Sequence, residues 1–551
     1  MRVTICSLSS QYIHMPLSPL CLKRAAEEAY PQADVTICDA NINDTKETLL
    51  RRLMAGVPDV IALSVYIWNR EMTALMVRRI KAMRPETVII LGGPEVTWDA
   101  AGAMAEMPCD YVLRGAGEES LPALLRIMAE GGDPAEVESA CFRTPEGVHI
   151  GTVAPSPAPR EDLYDEAWQR LRAGRMIYCE TSRGCPFACA FCLSGHRERV
   201  QFMPRETALE MLIRLGNQDV DTVKLIDRTF NCSAERTKFL LGGLIDAKRQ
   251  GRIGEVCYHL EVAADLFDEE TLALLADAPA GLFQMEAGLQ SFHPATLESC
   301  NRRTDMAKLE NNLRALIGAG NIHLHIDLIA GLPEEDFAEF GRSFDKAWSL
   351  RPHQLQLGFL KVIHGSALRS RDWGARFSPD PPYEVLSTPW MSYEELCRLQ
   401  DCAEAVEKIA NSGRFAETLA LALAQTGMRP FELFLLLGAR MSGRRWSVDA
   451  LTQLVQETLL SLGVDAAALR DALVLDRLAA DNTGYLPPCI AGDAAALKIA
   501  ARAWREAHPE DRRARTALSA DGGTLFVASW EKKHPVTERG EVRQIPISEK
   551  K

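Results

Sequence analysis

Short apolar runs recur along the first 150 residues at intervals that leave room for one helix each. Val60-Ile61-Ala62-Leu63-Ser64-Val65 and Thr87-Val88-Ile89-Ile90-Leu91 are apolar without alternation, which predicts strands buried on both faces in a parallel sheet. Further strands are predicted over 3–7, 35–38 and 111–113, with amphipathic helices over 20–30, 46–54, 70–83 and 121–129. Residues 1–150 are therefore expected to form an α/β, doubly wound, Rossmann-like domain whose ligands sit at the carboxyl ends of the strands.

The stretch Val153-Ala154-Pro155-Ser156-Pro157-Ala158-Pro159 predicts extended chain, so 151–175 reads as a linker. From 176 a second series begins, with strands predicted over 176–180, 222–226, 256–262, 281–287, 323–329 and 354–362. Helices are predicted over 206–216, 234–247, 269–276, 306–318 and 337–350. Six strands alternating with helices point to a partial (β/α)6 barrel over 176–368, with its active site at the strand carboxyl ends. Beyond 369 the period changes to that of helices, over 393–410, 415–425, 430–437, 448–462 and 466–480. The segments 524–530 and 541–547 then read as a small terminal hairpin, so 369–551 is expected to be a mostly helical domain.

Composition narrows the function classes. With 47% hydrophobic and 25% charged residues the 551-residue chain is a folded, multidomain one. A net charge of −13 argues against a general grip on nucleic acid. The apolar region 415–441 is interrupted by Gln425, Arg429, Pro430 and Glu432, short of a bilayer span. No export signal opens the chain, and fifteen cysteines then imply a reducing compartment, so a cytoplasmic location is expected.

The chemistry is concentrated in Gly184-Cys185-Pro186-Phe187-Ala188-Cys189-Ala190-Phe191-Cys192. Chance would place such a C-x3-C-x2-C triplet in a chain of this cysteine content about 0.01 times. Three thiolates on one loop can hold a [4Fe–4S] cluster and leave one iron open. The alternative is a zinc site, for which His196 is the nearby fourth ligand, although no second ligand pair stands close in sequence. The predicted first strand of the barrel ends directly before this loop. Three consecutive strand ends of the first domain carry Ser64, Gly92-Gly93 and Gly115-Ala116-Gly117-Glu118, where glycines let backbone approach a ligand.

With these strings assembled, residues 1–365 resemble the cobalamin-dependent radical S-adenosylmethionine (SAM) enzymes, and the tail resembles an uncharacterised domain found after such cores. The resemblance rests on Glu180-Thr181-Ser182-Arg183-Gly184 with the three cysteines, on 224–231, 259–262 and 284–291, on Asn301-Arg302-Arg303 and on 327–333. It implies that Cys185, Cys189 and Cys192 hold the cluster and that Phe191, Asp227, Asn231, Glu261, Gln290, Arg302 and Asp327 contact SAM. It also implies that Ser64, Gly92, Gly93, Gly115, Gly117 and Glu118 line a cobalamin site. The Asp-x-His-x-x-Gly loop of methionine-synthase-type domains is missing. The equivalent loop carries His14 without that spacing, so the lower cobalt ligand is His14 or none.

The implied activity is reductive cleavage of SAM to a 5′-deoxyadenosyl radical, with cobalamin carrying a methyl group to an unactivated carbon. Radical rearrangement, ring contraction or oxidation without methyl transfer is the alternative within that chemistry, and a non-catalytic cobalamin and Fe–S sensor or carrier is the alternative outside it. An electron donor such as flavodoxin or ferredoxin is the implied partner, with a small-molecule or peptide substrate.

Overall fold

The computed structural model describes residues 1–551 apart from 165–167, 169–173, 195–198, 510–512 and 548–551. The chain divides into two compact units. One holds Met1–Gln284, Leu297–Asp305 and Phe359–Pro389, and the other Met285–Thr296, Met306–Gly358 and Trp390–Lys551.

The first unit opens with strands β1 (Arg2–Cys6), β2 (Asp34–Cys38), β3 (Val60–Ser64), β4 (Val88–Gly92) and β5 (Tyr111–Leu113). They alternate with α1 (Ser18–Ala29), α2 (Lys46–Leu53), α3 (Arg70–Met83), the short α4 (Pro94–Thr97) and α5 (Ala100–Glu106), and α6 (Gly117–Glu130). Five strands run parallel in the order β2-β1-β3-β4-β5, with Ile5 opposite Ile37 on one side and Ala62 on the other. The order reverses between β1 and β3, so their carboxyl ends open the crevice at which doubly wound sheets bind ligands. The unalternating strands are explained by burial on both faces: Ile61, Leu63, Ile89 and Leu91 pack with Met76, Val77 and Ile80, while Ile5, Val60, Ala62 and Ile90 pack with Leu121, Leu124 and Leu125.

Two elements extend this sheet beyond the predicted set. Strands β6 (Ala140–Thr144) and β7 (Gly147–His149) add antiparallel at the β5 edge. The proline-rich stretch is extended, and Ala154 bridges Gly115 in parallel.

In the same unit β8 (Ile177–Cys179), β11 (Thr222–Leu225) and β12 (Cys257–Val262) form a parallel set with β11 in the middle. Between β8 and β11, β9 (Ser182–Arg183) pairs antiparallel with β10 (Gln201–Phe202), which closes the base of the cysteine loop. The segment Phe359–Pro389 is fixed to the first sheet by a buried charge cluster. The Arg70 guanidinium, 8% exposed, pairs with Glu95 at 2.8 Å, Asp99 at 2.9 Å and Glu106 at 3.0 Å. It also donates to the Tyr383 hydroxyl at 3.1 Å, and that hydroxyl donates to Glu95.

The second unit contains β14 (His323–Ala330) and β15 (Gln354–Phe359, ending as the chain leaves the unit), beside most of β13 (Phe283–Gln290). Its helix Phe337–Ser349 meets Pro430–Met441 through an aromatic cluster in which the Phe344 and Phe434 rings lie 5.8 Å from centroid to centroid and Phe344 and Phe431 lie 5.5 Å apart. Helix Tyr393–Ala405 continues into a π-helical turn, Val406–Asn411, followed by Ala416–Thr426, Val448–Ser461 and Ala466–Ala480. The fully buried Asp476 caps Ala416–Thr426 from a neighbouring helix, accepting from the Glu417 and Thr418 amides and from Arg539.

The hairpin expected at the end makes two strands of a three-stranded antiparallel sheet formed by Arg515–Leu518, Thr524–Lys533 and Gly540–Pro546. Helix Ala494–Ala507, also outside the predicted set, covers it. The fold class is the α/β one expected, with a Rossmann-like first domain, six barrel-type strands and a mostly helical C-terminal region. Among the described residues no helix is long and apolar enough to cross a membrane.

Candidate functional site

The cysteine loop leaves β9 at Gly184, whose φ of +94° turns the chain out of the strand. Its backbone is pinned from three sides. The Ala190 amide donates to the Cys300 carbonyl at 2.8 Å, the Leu368 amide donates to the Ala190 carbonyl at 2.9 Å, and Asn301 Nδ2 donates to the Ala188 carbonyl at 2.8 Å. Cys185 and Cys189 are buried and Cys192 is half-buried. Burial pushes the Cys189 thiol up, and the Arg302 guanidinium, with Nη1 3.5 Å from Sγ, pulls it back toward the thiolate a metal requires.

The three cysteine sulfurs do not all lie within 4.8 Å of one another. Among the described residues the one group of three ligand atoms within 4.8 Å of one another is Glu286, His325 and Asp327, not the cysteines. Tetrahedral zinc with bonds of about 2.3 Å would need sulfurs roughly 3.8 Å apart. A wider set suits a cluster with one iron at each thiolate. His196, the fourth ligand of the zinc alternative, lies outside the described residues.

Residues expected to contact SAM fall into three groups. Asp227 is 1% exposed and is committed to the protein: it accepts from the Thr181 amide and hydroxyl, both at 2.6 Å, and from the Ser182 hydroxyl at 2.9 Å. Burial raises its pKa and these hydrogen bonds oppose the rise. Asn231 likewise clamps Ala263 after β12, donating to its carbonyl at 2.8 Å and accepting from its amide at 2.9 Å. Both hold the strand ends beside the cysteine loop. Phe191 is half-buried on the loop itself, Arg302 lies on Cys189, and Glu261 lines a cavity.

Gln290 and Asp327 belong to the second unit. Gln290 ends β13 with φ of +73° and a buried Oε1 that accepts no hydrogen bond. Asp327 lies 2.9 Å from His325 Nε2, and its carboxyl is pushed up by burial while His325 counters the rise. The sequence reading missed Glu286 and His325, although His325 stands two residues before Asp327 and so on the same strand face.

A cavity of about 880 Å³ lies within the first unit. Ser64, Gly92, Gly93, Gly115, Gly117 and Glu118 line it, so the six residues expected around cobalamin are gathered in one place. Residues about the cysteine loop line the same space, including Glu180, Ser182, Arg183, Gly184, Lys224 and Glu261. His14 lines it too, its Nδ1 paired with the Tyr178 hydroxyl at 2.6 Å, and burial lowers its pKa, reinforced by Lys224. Two of the glycines are demanded by backbone packing: a Cβ on Gly93 would stand 2.7 Å from the Val65 carbonyl oxygen, and one on Gly115 2.2 Å from that of Ala154, both at positive φ.

Three stretches of the chain match known family models. Residues 3–125 match the model of the B12 binding domain, 179–347 that of the Radical SAM superfamily, and 371–522 that of a protein family of unknown function, DUF4080. The chain thus carries a B12 binding domain followed by a Radical SAM domain, the pairing found in cobalamin-dependent radical SAM enzymes.

Among curated relatives, the 2-(S-pantetheinyl)-carbapenam-3-carboxylate methyltransferase of Streptantibioticus cattleyicolor is 25% identical over 53% of the chain and 45% of its own length. The hopanoid C-3 methylase of Methylococcus capsulatus is 26% identical over 60% and 64%. The chain thus spans about half to two thirds of these relatives. The solved structure of the cobalamin-dependent SAM radical enzyme OxsB, with aqua-cobalamin and SAM bound, superposes with a TM-score of 0.60 at 14% identity, covering 86% of this chain and 83% of that one, and supports the shared fold.

The cofactor set that goes with these two domains is a [4Fe–4S] cluster, SAM and cobalamin, and radical SAM enzymes generally need a reductant. The residues present fit that set. The C-x3-C-x2-C spacing along one loop suits a cluster with an open iron, and the cavity of about 880 Å³ stands at the upper end of the range for pockets that enclose drug-sized ligands, about 300–1,000 Å³.

Proposed function

We propose that this chain is a cobalamin-dependent radical SAM methyltransferase that methylates an unactivated carbon of a small molecule. The observation that carries the reading is the single cavity shared by the strand ends of the B12 domain and the strand ends around the cysteine loop. When bound, the cluster and SAM supply a carbon-centred radical and cobalamin supplies a methyl carrier.

The protein's own part is holding, orienting and excluding water. Cys185, Cys189 and Cys192 are the proposed cluster ligands. Phe191, Glu261 and Arg302 stand on or beside the loop as SAM contacts, while Asp227 and Asn231 position the strand ends on which SAM would rest. Ser64, Gly92, Gly93, Gly115, Gly117 and Glu118 are the proposed cobalamin wall. His14, lowered in pKa and tied to Tyr178, is a neutral hydrogen-bonding wall residue in this reading. The substrate is proposed to be a small molecule and the electron donor a flavodoxin- or ferredoxin-like protein in the cytoplasm.

The test is anaerobic reconstitution with iron, sulfide and hydroxocobalamin, followed by reduction with titanium(III) citrate in the presence of SAM. The expected products are 5′-deoxyadenosine and methionine, together with S-adenosylhomocysteine when cobalamin is bound, and Cys185→Ala is expected to form no 5′-deoxyadenosine. A protein that retains cobalamin and cluster but forms none of these, behaving like Cys185→Ala, overturns the enzyme reading. Formation of 5′-deoxyadenosine without cobalamin binding overturns methyl transfer.

A further inference from the structure

Arg183 stands two residues before the first cysteine, between two carboxylates that come from opposite walls of the cavity. Its Nη1 donates to Glu118 Oε1 at 2.5 Å, and its Nε donates to Glu180 Oε1 at 2.8 Å, with Nη2 bonded to the same oxygen. Nη2 also lies 3.5 Å from Cys21 Sγ on α1. The three charged side chains are 15%, 14% and 10% exposed for Arg183, Glu118 and Glu180, and all three line the cavity. Glu118 sits in the first turn of α6, directly after the Gly115-Ala116-Gly117 loop, and Glu180 directly follows β8.

Two like charges brought together in a partly desolvated space repel unless a cation lies between them, and a planar guanidinium can bond both at once. Lysine, a point charge without the fork, cannot reproduce that geometry. The bond therefore fixes the α6 loop of the B12 domain against the base of the cysteine loop.

We propose that Arg183, held by Glu118 and Glu180, is a positioning residue that sets the cobalamin wall relative to the cluster loop, so that one SAM site can serve both cofactors, with a separate SAM molecule consumed at each. This rests on the proposed function for its purpose, though the coupling it describes is a property of binding. When bound, SAM would have to lie with its sulfonium near the cluster for reductive cleavage and with its methyl group toward cobalamin for methyl transfer, and a misplacement of about 1 Å can cost roughly a hundredfold in rate. The second reaction should suffer first, because it depends on the relation between the two walls.

The test compares wild type, Arg183→Lys and Arg183→Gln as full-length protein. In each, cobalamin affinity is measured with and without reconstituted cluster. The wild type is expected to differ by about fivefold or more between the two states, a usual size for coupled sites, and both variants by less than about twofold. With both cofactors loaded, the variants are expected to release 5′-deoxyadenosine within about twofold of wild type, while S-adenosylhomocysteine formed on reduced cobalamin falls by roughly ten- to a hundredfold.

Equal cobalamin affinity with and without cluster in the wild type overturns the coupling. So does a parallel fall of both products together with iron content, which a merely structural role would give. If the wild type shows the affinity coupling but forms neither product, the proposed function fails and the positioning role stands.

Discussion

Several side chains of this protein work through burial and pairing, and their effects are readable one residue at a time. Glu335 is fully buried, accepts from the Ser291 hydroxyl at 2.5 Å and the Ser343 hydroxyl at 3.1 Å, and has an Oε2 without a hydrogen-bond partner. Burial raises its pKa from 4.5 to about 7, with the serine hydroxyls opposing. A carboxyl raised on folding contributes stability that is fully present below its unfolded pKa, near 4.5, and lost as pH climbs through about 7. Urea midpoints measured between those limits should therefore fall with pH in the wild type, and Glu335→Gln should flatten the slope; an unchanged slope would count against a protonated Glu335. Asp227→Ala leaves the Thr181 amide and two hydroxyls without their acceptor, each at a cost of about 1–3 kcal/mol. Iron bound after reconstitution should fall accordingly, whereas a variant with wild-type iron and lowered SAM affinity would make Asp227 a direct SAM contact. The cysteine triplet could be read from the sequence because its ligands lie within eight residues of one another on one loop. The partners of Asp227 and Asn231 could not, being 46 and 32 positions away.

At the scale of elements, the β/α alternation was legible wherever strands are buried on both faces, because such strands carry unbroken apolar runs. It failed at edges. Strand β7 is exposed at all three positions and β6 buries only its first two, so neither leaves an apolar signal. The terminal sheet gained a strand for the same reason, and helix Ala494–Ala507 buries only Ala501. The strand-end glycines gave a signal with a mixed origin, since at Gly93 and Gly115 the missing side chain makes room for protein backbone. Gly115→Ala should push the Ala154 strand away and lower cobalamin occupancy while iron content holds; loss of both together would mean that the whole first unit had unfolded. In the second unit, Phe431→Ala should cost about 3–5 kcal/mol in urea unfolding, the usual price of emptying a buried aromatic site.

At the scale of the whole molecule, a net charge of −13 bears on electron delivery. An acidic donor protein would meet like charge, so the rate at which it reduces the cluster should rise with added salt as screening shortens the Debye length to about 8 Å at 0.15 M. A rate that falls with salt would instead reveal a local basic docking patch. The two units interleave along the chain, and the first is complete only at Pro389. Tyr383 reaches back 288 positions to Glu95 and 313 to Arg70. A ribosome adding roughly 5–20 residues per second leaves that interval open for about 15–60 seconds. During that time the emerging B12 domain carries three carboxylates around Arg70 with no tyrosine to close them. Nascent chains halted before residue 383 should hold cobalamin more weakly than chains released at full length, which would make cofactor loading a late event in the life of each molecule.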